Sequence, residues 1–461
     1  MQFRFAALML LMIALPLRTG APSDPTRTPI DHLIVIMQEN HSFDNYFGTY
    51  PTSNGTLDGT IAEELEPVDG IPKRTCLPYG ASCLRPYRTN SSRAEDPIEG
   101  QAVYEQDYDG GKMDGFARFS GPQSLAYFDQ TEIAAYWTYA EEYGLGENYF
   151  APVLSTTNPN RLMSLAGNSS VANNDGPPPF LPYNDTILHQ LSAAGISWTY
   201  FDFFGSARGR KLVPPINYLS GLDPQAFGQI QDAPMFFQDL NDSRLPSVTF
   251  LNAIGFQELD EHPPWNVTVG ELWAVSIVNA VMESNYWASS AILITYDEGG
   301  GYYDHVAPPQ LLTINNGFQM PLQGYGQRVP FLVISPYGKE DYVSNTLLNH
   351  MSILRFIEYN WNLPPLNQNV ADSNNFLDFF YFDGPPRAPI ILKSGGPYST
   401  NLFPAPIQIP LDQLPYSRND SQAQATKTPN ELLVIPYAAL TITVAAIAVV
   451  VSNRSGKFKR R

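Results

Sequence analysis

Residues 291–305 read Ala291-Ile-Leu-Ile-Thr-Tyr-Asp297-Glu298-Gly-Gly-Gly-Tyr-Tyr-Asp304-His305. Ala291 to Thr295 are apolar or β-branched without a break, which predicts a strand buried on both faces. Polarity then switches to two carboxylates and three glycines. A strand that delivers acids at its carboxyl end is where open α/β sheets place their chemistry. Asp297 and Glu298 cannot both ionise in a closed cleft without a cation, because like charges in contact drive one pKa up. A hard divalent metal with oxygen ligands resolves that conflict, and Gly299 to Gly301 let backbone or substrate come close. The plainer alternative is an acidic turn after a buried strand.

Working outward, Leu33 to Met37 is a second apolar run, ending in Gln38-Glu39-Asn40-His41-Ser42-Phe43-Asp44, so polar residues again gather at a strand end. Asn40 also starts an Asn-His-Ser sequon, but a strand end favours ligation over glycosylation. Further strands are expected at 197–201, 247–251 and 329–334. Helices are expected at 131–143, 157–167, 186–194, 269–282 and 347–359. Strands alternating with helices argue an α/β fold: a doubly wound, mostly parallel sheet with helices on both faces. The stretch Thr157-Asn-Pro-Asn-Arg161 to Gly167 carries a threonine cap, a proline in the first turn and a glycine stop. A hydroxyl at a helix start faces unpaired amides and the positive end of the dipole, so Thr157 is either that cap or a nucleophile toward phosphorus.

The two ends predict export and anchoring. Arg4 followed by the apolar Phe5 to Leu17 has the form of a signal peptide, taken as residues 1–21. Residues 432–451 carry no charge and are followed by Arg454, Lys457, Lys459, Arg460 and Arg461. That is enough to cross a hydrocarbon layer of about 30 Å, with the basic flank inside the cell. The expected organisation is an extracellular body at 22–416 with a long irregular insertion at 48–125, a stalk at 417–430, a transmembrane helix at 431–451 and a cytoplasmic basic tail at 452–461. Outside leader and tail, the 27 basic residues fall to 20 against 45 acids, a balance of about −25. Such an exterior excludes nucleic acid as a charge-driven partner and disfavours anionic lipid surfaces. The two cysteines, Cys76 and Cys83, are expected to form one short-loop disulfide. Asn54, Asn90, Asn168, Asn184, Asn241, Asn266 and Asn419 start sequons and mark a glycosylated face.

Several short stretches occur together in order: Asp31 to Gly48, Gly111-Lys-Met-Asp-Gly-Phe116, Asn148-Tyr-Phe150, Asn158-Pro-Asn-Arg-Leu162, Glu261-His-Pro-Pro264, Tyr296 to His305, Arg328-Val-Pro330 and Ile334-Ser-Pro-Tyr337. With His350 and Ser352 to Glu358 they resemble the phosphoesterase family of phosphatidylcholine-type phospholipases C and bacterial acid phosphatases, across roughly residues 31–385. The resemblance implies an alkaline-phosphatase-like fold, a hydroxyl nucleophile and a phospho-enzyme. Carried over by position, it implies that Glu39, Asn40, Asp297 and Glu298 hold a divalent metal ion of unspecified identity. Thr157 would bridge metal and phosphorus, and His262 and His305 would bind phosphate oxygens or protonate the leaving group. The chemistry is coherent, since a cation lowers the hydroxyl pKa and neutralises the transferred phosphoryl.

The chain departs from the family in places. Ser155-Thr156-Thr157 stands where relatives have Gly-Pro-Thr, which makes Thr156 a rival nucleophile. No histidine lies between His41 and His189, so Glu99 is the candidate for a missing histidine position, and Asn345 stands where another histidine is expected. The function expected is a metal-dependent phosphoric ester hydrolase at the cell surface, phospholipase C-like, with a phospholipid or small phosphoester as substrate. An acid phosphatase on soluble monoesters and a non-catalytic cell-surface binding protein are the alternatives. Tyr104, Tyr108 and Phe116 in the insertion are candidates to line a pocket for an apolar leaving group.

Overall fold

The backbone of the molecule is an eight-stranded sheet, seen in a computed structural model that describes residues 26–50, 68–174, 180–203, 214–254, 258–309 and 324–392. The expected signal peptide, stalk, transmembrane helix and basic tail, with the Asn54 and Asn419 sequons, lie outside the described residues. Among the described residues no helix is long and apolar enough to cross a membrane.

In chain order the strands are β1 (His32–Gln38), β2 (Gly144–Gly146), β3 (Trp198–Asp202), β4 (Ile230–Asp232), β5 (Val248–Asn252), β6 (Ser290–Tyr296), β7 (Phe331–Ile334) and β8 (Tyr342–Ser344). Across the sheet the order is β4-β3-β5-β1-β6-β7-β2-β8. All pairings are parallel except the two made by β7, which runs against both β6 and β2. The mixed α/β class with a mostly parallel sheet is therefore present, with one reversed strand that apolar periodicity does not reveal. Successive strand side chains point to opposite faces, and every residue of β6 is at most 1% exposed, so both faces of the sheet are covered at its centre. The helices Thr157–Ala166 and His350–Asn360 pack on each other, as do Ala134–Glu142 and Val267–Met282.

Three strands escape the sequence reading because they are short and poor in apolar residues. In β2 the glycines are needed for packing: a Cβ on Gly144 would lie 2.4 Å from the Phe379 ring. The helix Ala134–Glu142 has no side-chain cap of its own. The buried Glu271 carboxylate supplies one from another helix, accepting from the Ala135 and Tyr136 amides at 2.7 and 3.0 Å. The insertion is more ordered than its composition suggests. Cys76 and Cys83 are bridged, with Cα atoms 5.5 Å apart, across a hairpin of Leu77–Tyr79 with Ser82–Leu84. Gln101–Tyr108 is a helix of which only Tyr104 and Asp107 are buried, so it has no apolar stripe to betray it. Phe116 and Tyr303 belong to a second, smaller apolar cluster.

Candidate active site

Register alone brings the two acidic strand ends together. Gln38 lies opposite Tyr296 in the parallel pair β1–β6, so Glu39-Asn40 and Asp297-Glu298 leave the sheet side by side. Asn40 has a left-handed backbone, φ 63°, and its amide turns onto Asp297 Oδ1 at 3.3 Å. Gly300, φ 59°, makes room for that turn, since a Cβ there would sit 2.4 Å from the Asn40 carbonyl oxygen. Glu298 is held by the Gly300 amide at 2.7 Å and the Tyr104 hydroxyl at 3.2 Å.

The fully buried Arg161 ties three strand ends together. Its Nε donates to Asp297 Oδ2 at 2.9 Å, Nη1 to Asn252 Oδ1 at 2.7 Å, and Nη2 to Glu39 Oε1 at 3.2 Å and the Gln38 carbonyl at 3.1 Å. Arg161 lies in the helix Thr157–Ala166, one turn beyond Thr157, and positions i and i+4 share a helix face. Thr157 is therefore carried on the face that meets Asp297. It is the first helical residue, and the cap position belongs to Thr156, whose side chain makes no capping bond. The expected threonine cap is thus displaced by one residue. Among the described residues the Thr157 hydroxyl has no hydrogen-bond partner, which leaves it free for chemistry.

Opposite this helix, the Asn40 amide nitrogen contacts Glu99 Oε1 and lies 3.2 Å from His262 Nε2. His262 Nδ1 faces the Pro263 carbonyl at 2.6 Å. Burial pulls His262 down, but the Glu39 and Glu99 carboxylates outweigh it and push it up to about 9. Burial raises Glu39 to about 8, with Asp297 and Asp260 opposing the help of Arg161. Burial likewise raises Glu99 to about 7 and Glu298 well above the carboxylate range. Three buried carboxylates and the half-buried Glu99 thus face one guanidinium and one imidazole. That charge excess, in an all-oxygen donor set, fits a hard divalent cation. Among the described residues Asn40 Oδ1 is buried without a partner, which suits a ligand oxygen. Of the three aromatics expected to line a pocket, Tyr104 is buried with its hydroxyl on Glu298, while Phe116 lies in the smaller apolar cluster with Tyr108 packed against it.

His305 makes its hydrogen bonds elsewhere. It sits in a separate ion cluster, with Nδ1 2.8 Å from Asp44 Oδ2 and Nε2 3.2 Å from Asp69 Oδ1. None of its hydrogen bonds among the described residues reaches Asn40, Thr157, Asp297 or Glu298. Asp44, Asp304 and His305 do offer ligand atoms within 4.8 Å of one another, the one such trio among the described residues. The cation in that trio is Arg328, which donates from Nη2 to Asp44 at 3.0 Å and from Nε to Asp304 at 3.0 Å. Burial lowers His305, yet Asp44 prevails and holds it up to about 9. A histidine raised in the folded chain from about 6.5 contributes stability fully present below pH ~6.5 and lost as pH climbs through about 9. Stability against thermal unfolding should therefore fall over that window, and His305→Gln should flatten the decline. An unchanged profile in the variant would show that the pair adds nothing.

Residues 30–364 match the model of the Phosphoesterase family, and the chain belongs to that family. Phospholipase C A of Mycobacterium tuberculosis is 30% identical over 425 residues, covering 78% of this chain and 79% of its own. Phospholipase C B of the same organism is 28% identical over 426 residues, with the same shares. Among solved structures, a protein of the alkaline phosphatase superfamily from Vibrio parahaemolyticus aligns with a TM-score of 0.35 at 10% identity, covering 77% of this chain and 74% of that one. The protein is a hydrolase acting on phosphoric esters. Of the residues that serve the site, Arg161 and Glu261 stood inside recognised stretches with no role given. The signal for Arg161 was available, since a lone charge four residues beyond a candidate nucleophile shares its helix face.

Proposed function

We propose that this hydrolase cleaves phospholipid headgroup esters in the manner of a phospholipase C, through a phosphorylated Thr157. The observation that carries the mechanism is Arg161: one guanidinium fixes Asp297 and Glu39, and Thr157 starts the helix that bears it. A divalent cation held by Glu39, Asn40, Asp297 and Glu298 would favour the threonine alkoxide and neutralise charge on the transferred group. The Thr157 oxygen bonds to phosphorus as the bond to the diacylglycerol oxygen breaks. His262 gives that oxygen a proton. The neutral imidazole then takes a proton from water, which attacks the phospho-threonine and frees both Thr157 and a phosphorylated headgroup. His305 takes no part in these steps.

The substrate class rests on the likeness to phospholipases C A and B. The Cys76–Cys83 bridge and the exposed Asn90, Asn184 and Asn241 support an exported chain. The test compares phosphatidylcholine vesicles with a soluble phosphomonoester, with and without chelation. Diester turnover that chelator removes and a divalent metal restores is expected. Monoester turnover at least about tenfold faster in kcat/KM, roughly 1.4 kcal/mol in transition-state binding, would overturn the phospholipase reading in favour of an acid phosphatase.

A further inference from the structure

A buried carboxylate outside the proposed chemistry joins the His262 loop to the two strand ends that carry acids. Glu261 is fully buried, with a left-handed backbone at φ 64°. Its Oε2 accepts from the Tyr46 and Tyr296 hydroxyls, both at 2.6 Å. Its Oε1 accepts from the Tyr136 hydroxyl at 2.5 Å and from Gln38 Nε2 at 2.9 Å. An ionised carboxylate has about four acceptor sites, so these four donors fill it. Gln38 immediately precedes Glu39 and Asn40, Tyr296 immediately precedes Asp297, and His262 follows Glu261 directly. The Glu261 carbonyl is also met by His41 Nε2 at 2.9 Å. The helix Val267–Met282 leaves space for this side chain, since a Cβ on Gly270 would lie 2.1 Å from Glu261 Cγ.

We propose that Glu261 is a positioning residue, locking the His262 loop to the strand ends that bear Asn40 and Asp297 and acting on turnover through His262. The inference rests on the role given above to His262. A carboxylate that only satisfied three core tyrosines would matter for stability; one that positions His262 matters for rate, because small misplacements of a reacting group cost up to about a hundredfold.

The test is a double-mutant cycle in the full-length chain, read as kcat and KM on a chromogenic phosphocholine ester. Glu261→Gln, which sets an amide among four donors, should lower kcat about 10- to 100-fold with KM within about threefold. Combined with His262→Ala it should cost nothing beyond His262→Ala alone. A folded Glu261→Gln with full activity would overturn the inference, and so would losses that simply multiply. Should Glu261→Gln fail to fold, Tyr46→Phe and Tyr136→Phe each remove one donor. Each should then lower kcat by about threefold or more in wild type, and leave it unchanged beside His262→Ala; wild-type rates in both would overturn the inference. Full activity in His262→Ala alone would instead defeat the role given to His262, and the inference with it.

Discussion

Thr157→Ala is expected to lower kcat by at least about 10⁴-fold, the scale for loss of a nucleophile whose partners act as a unit. The chain should still fold. Thr157 occupies the first helical position, not the cap, and its hydroxyl holds no hydrogen bond within the described residues. No labelled phospho-enzyme should be trapped on rapid quenching with a radioactive phosphoester. Thr156→Ala is the control. Its hydroxyl sits at the cap without a capping bond and is buried without a partner among the described residues, so removing it should change activity little. If Thr156→Ala abolishes the trapped intermediate and Thr157→Ala does not, the nucleophile is one residue earlier.

Asp297→Asn is expected to remove both bound metal and turnover, the latter by at least about 10³-fold. Asp297 accepts from the Arg161 Nε and from the amides of Asn40 and Glu298. An amide keeps the volume but removes the charge and turns donors toward donors. Arg161 would retain only Glu39 as a charged partner, and stripping one member from a buried pair costs about 3 kcal/mol or more. Elemental analysis of the purified variant and its thermal transition measure the two effects. Full metal content together with wild-type turnover would sink the ligand assignment.

Much of the architecture is legible because periodicity reports burial. The runs at 33–37 and 291–295 are apolar without alternation, and both lie at the centre of a sheet covered on both faces. What periodicity cannot report is direction, so β7 was visible as a strand but not as a reversed one. Nor does it report capping from afar, such as Glu271 serving the helix Ala134–Glu142. The helix Gln101–Tyr108 carries no apolar stripe to reveal it, since only Tyr104 and Asp107 are buried. At the site, the acids at strand ends were readable one strand at a time, while their union depends on register and on Arg161. His305 shows the opposite case. Its sequence neighbourhood looks catalytic, yet the residues that fix it, Asp44 and Arg328, are far away in sequence and fold it into an ion cluster.

Because β7 runs against β6, the chain leaves one strand and enters the next on the same rim of the sheet. The two sides of that excursion are joined at its base. Gln327 Nε2 donates to the Tyr302 carbonyl at 2.8 Å, and Arg328 is paired with Asp304. The chain thus departs after Asp304 and returns at Gln327 through points already tied together, and for such a closure each doubling of the connection's length costs only about 0.6 kcal/mol. A graft into that connection, whether an epitope, a fluorophore-binding tag or a selected peptide library, would start and end at the ties made by Gln327 and Arg328. The reversed strand therefore gives protein engineering an insertion point whose base is closed by the fold itself.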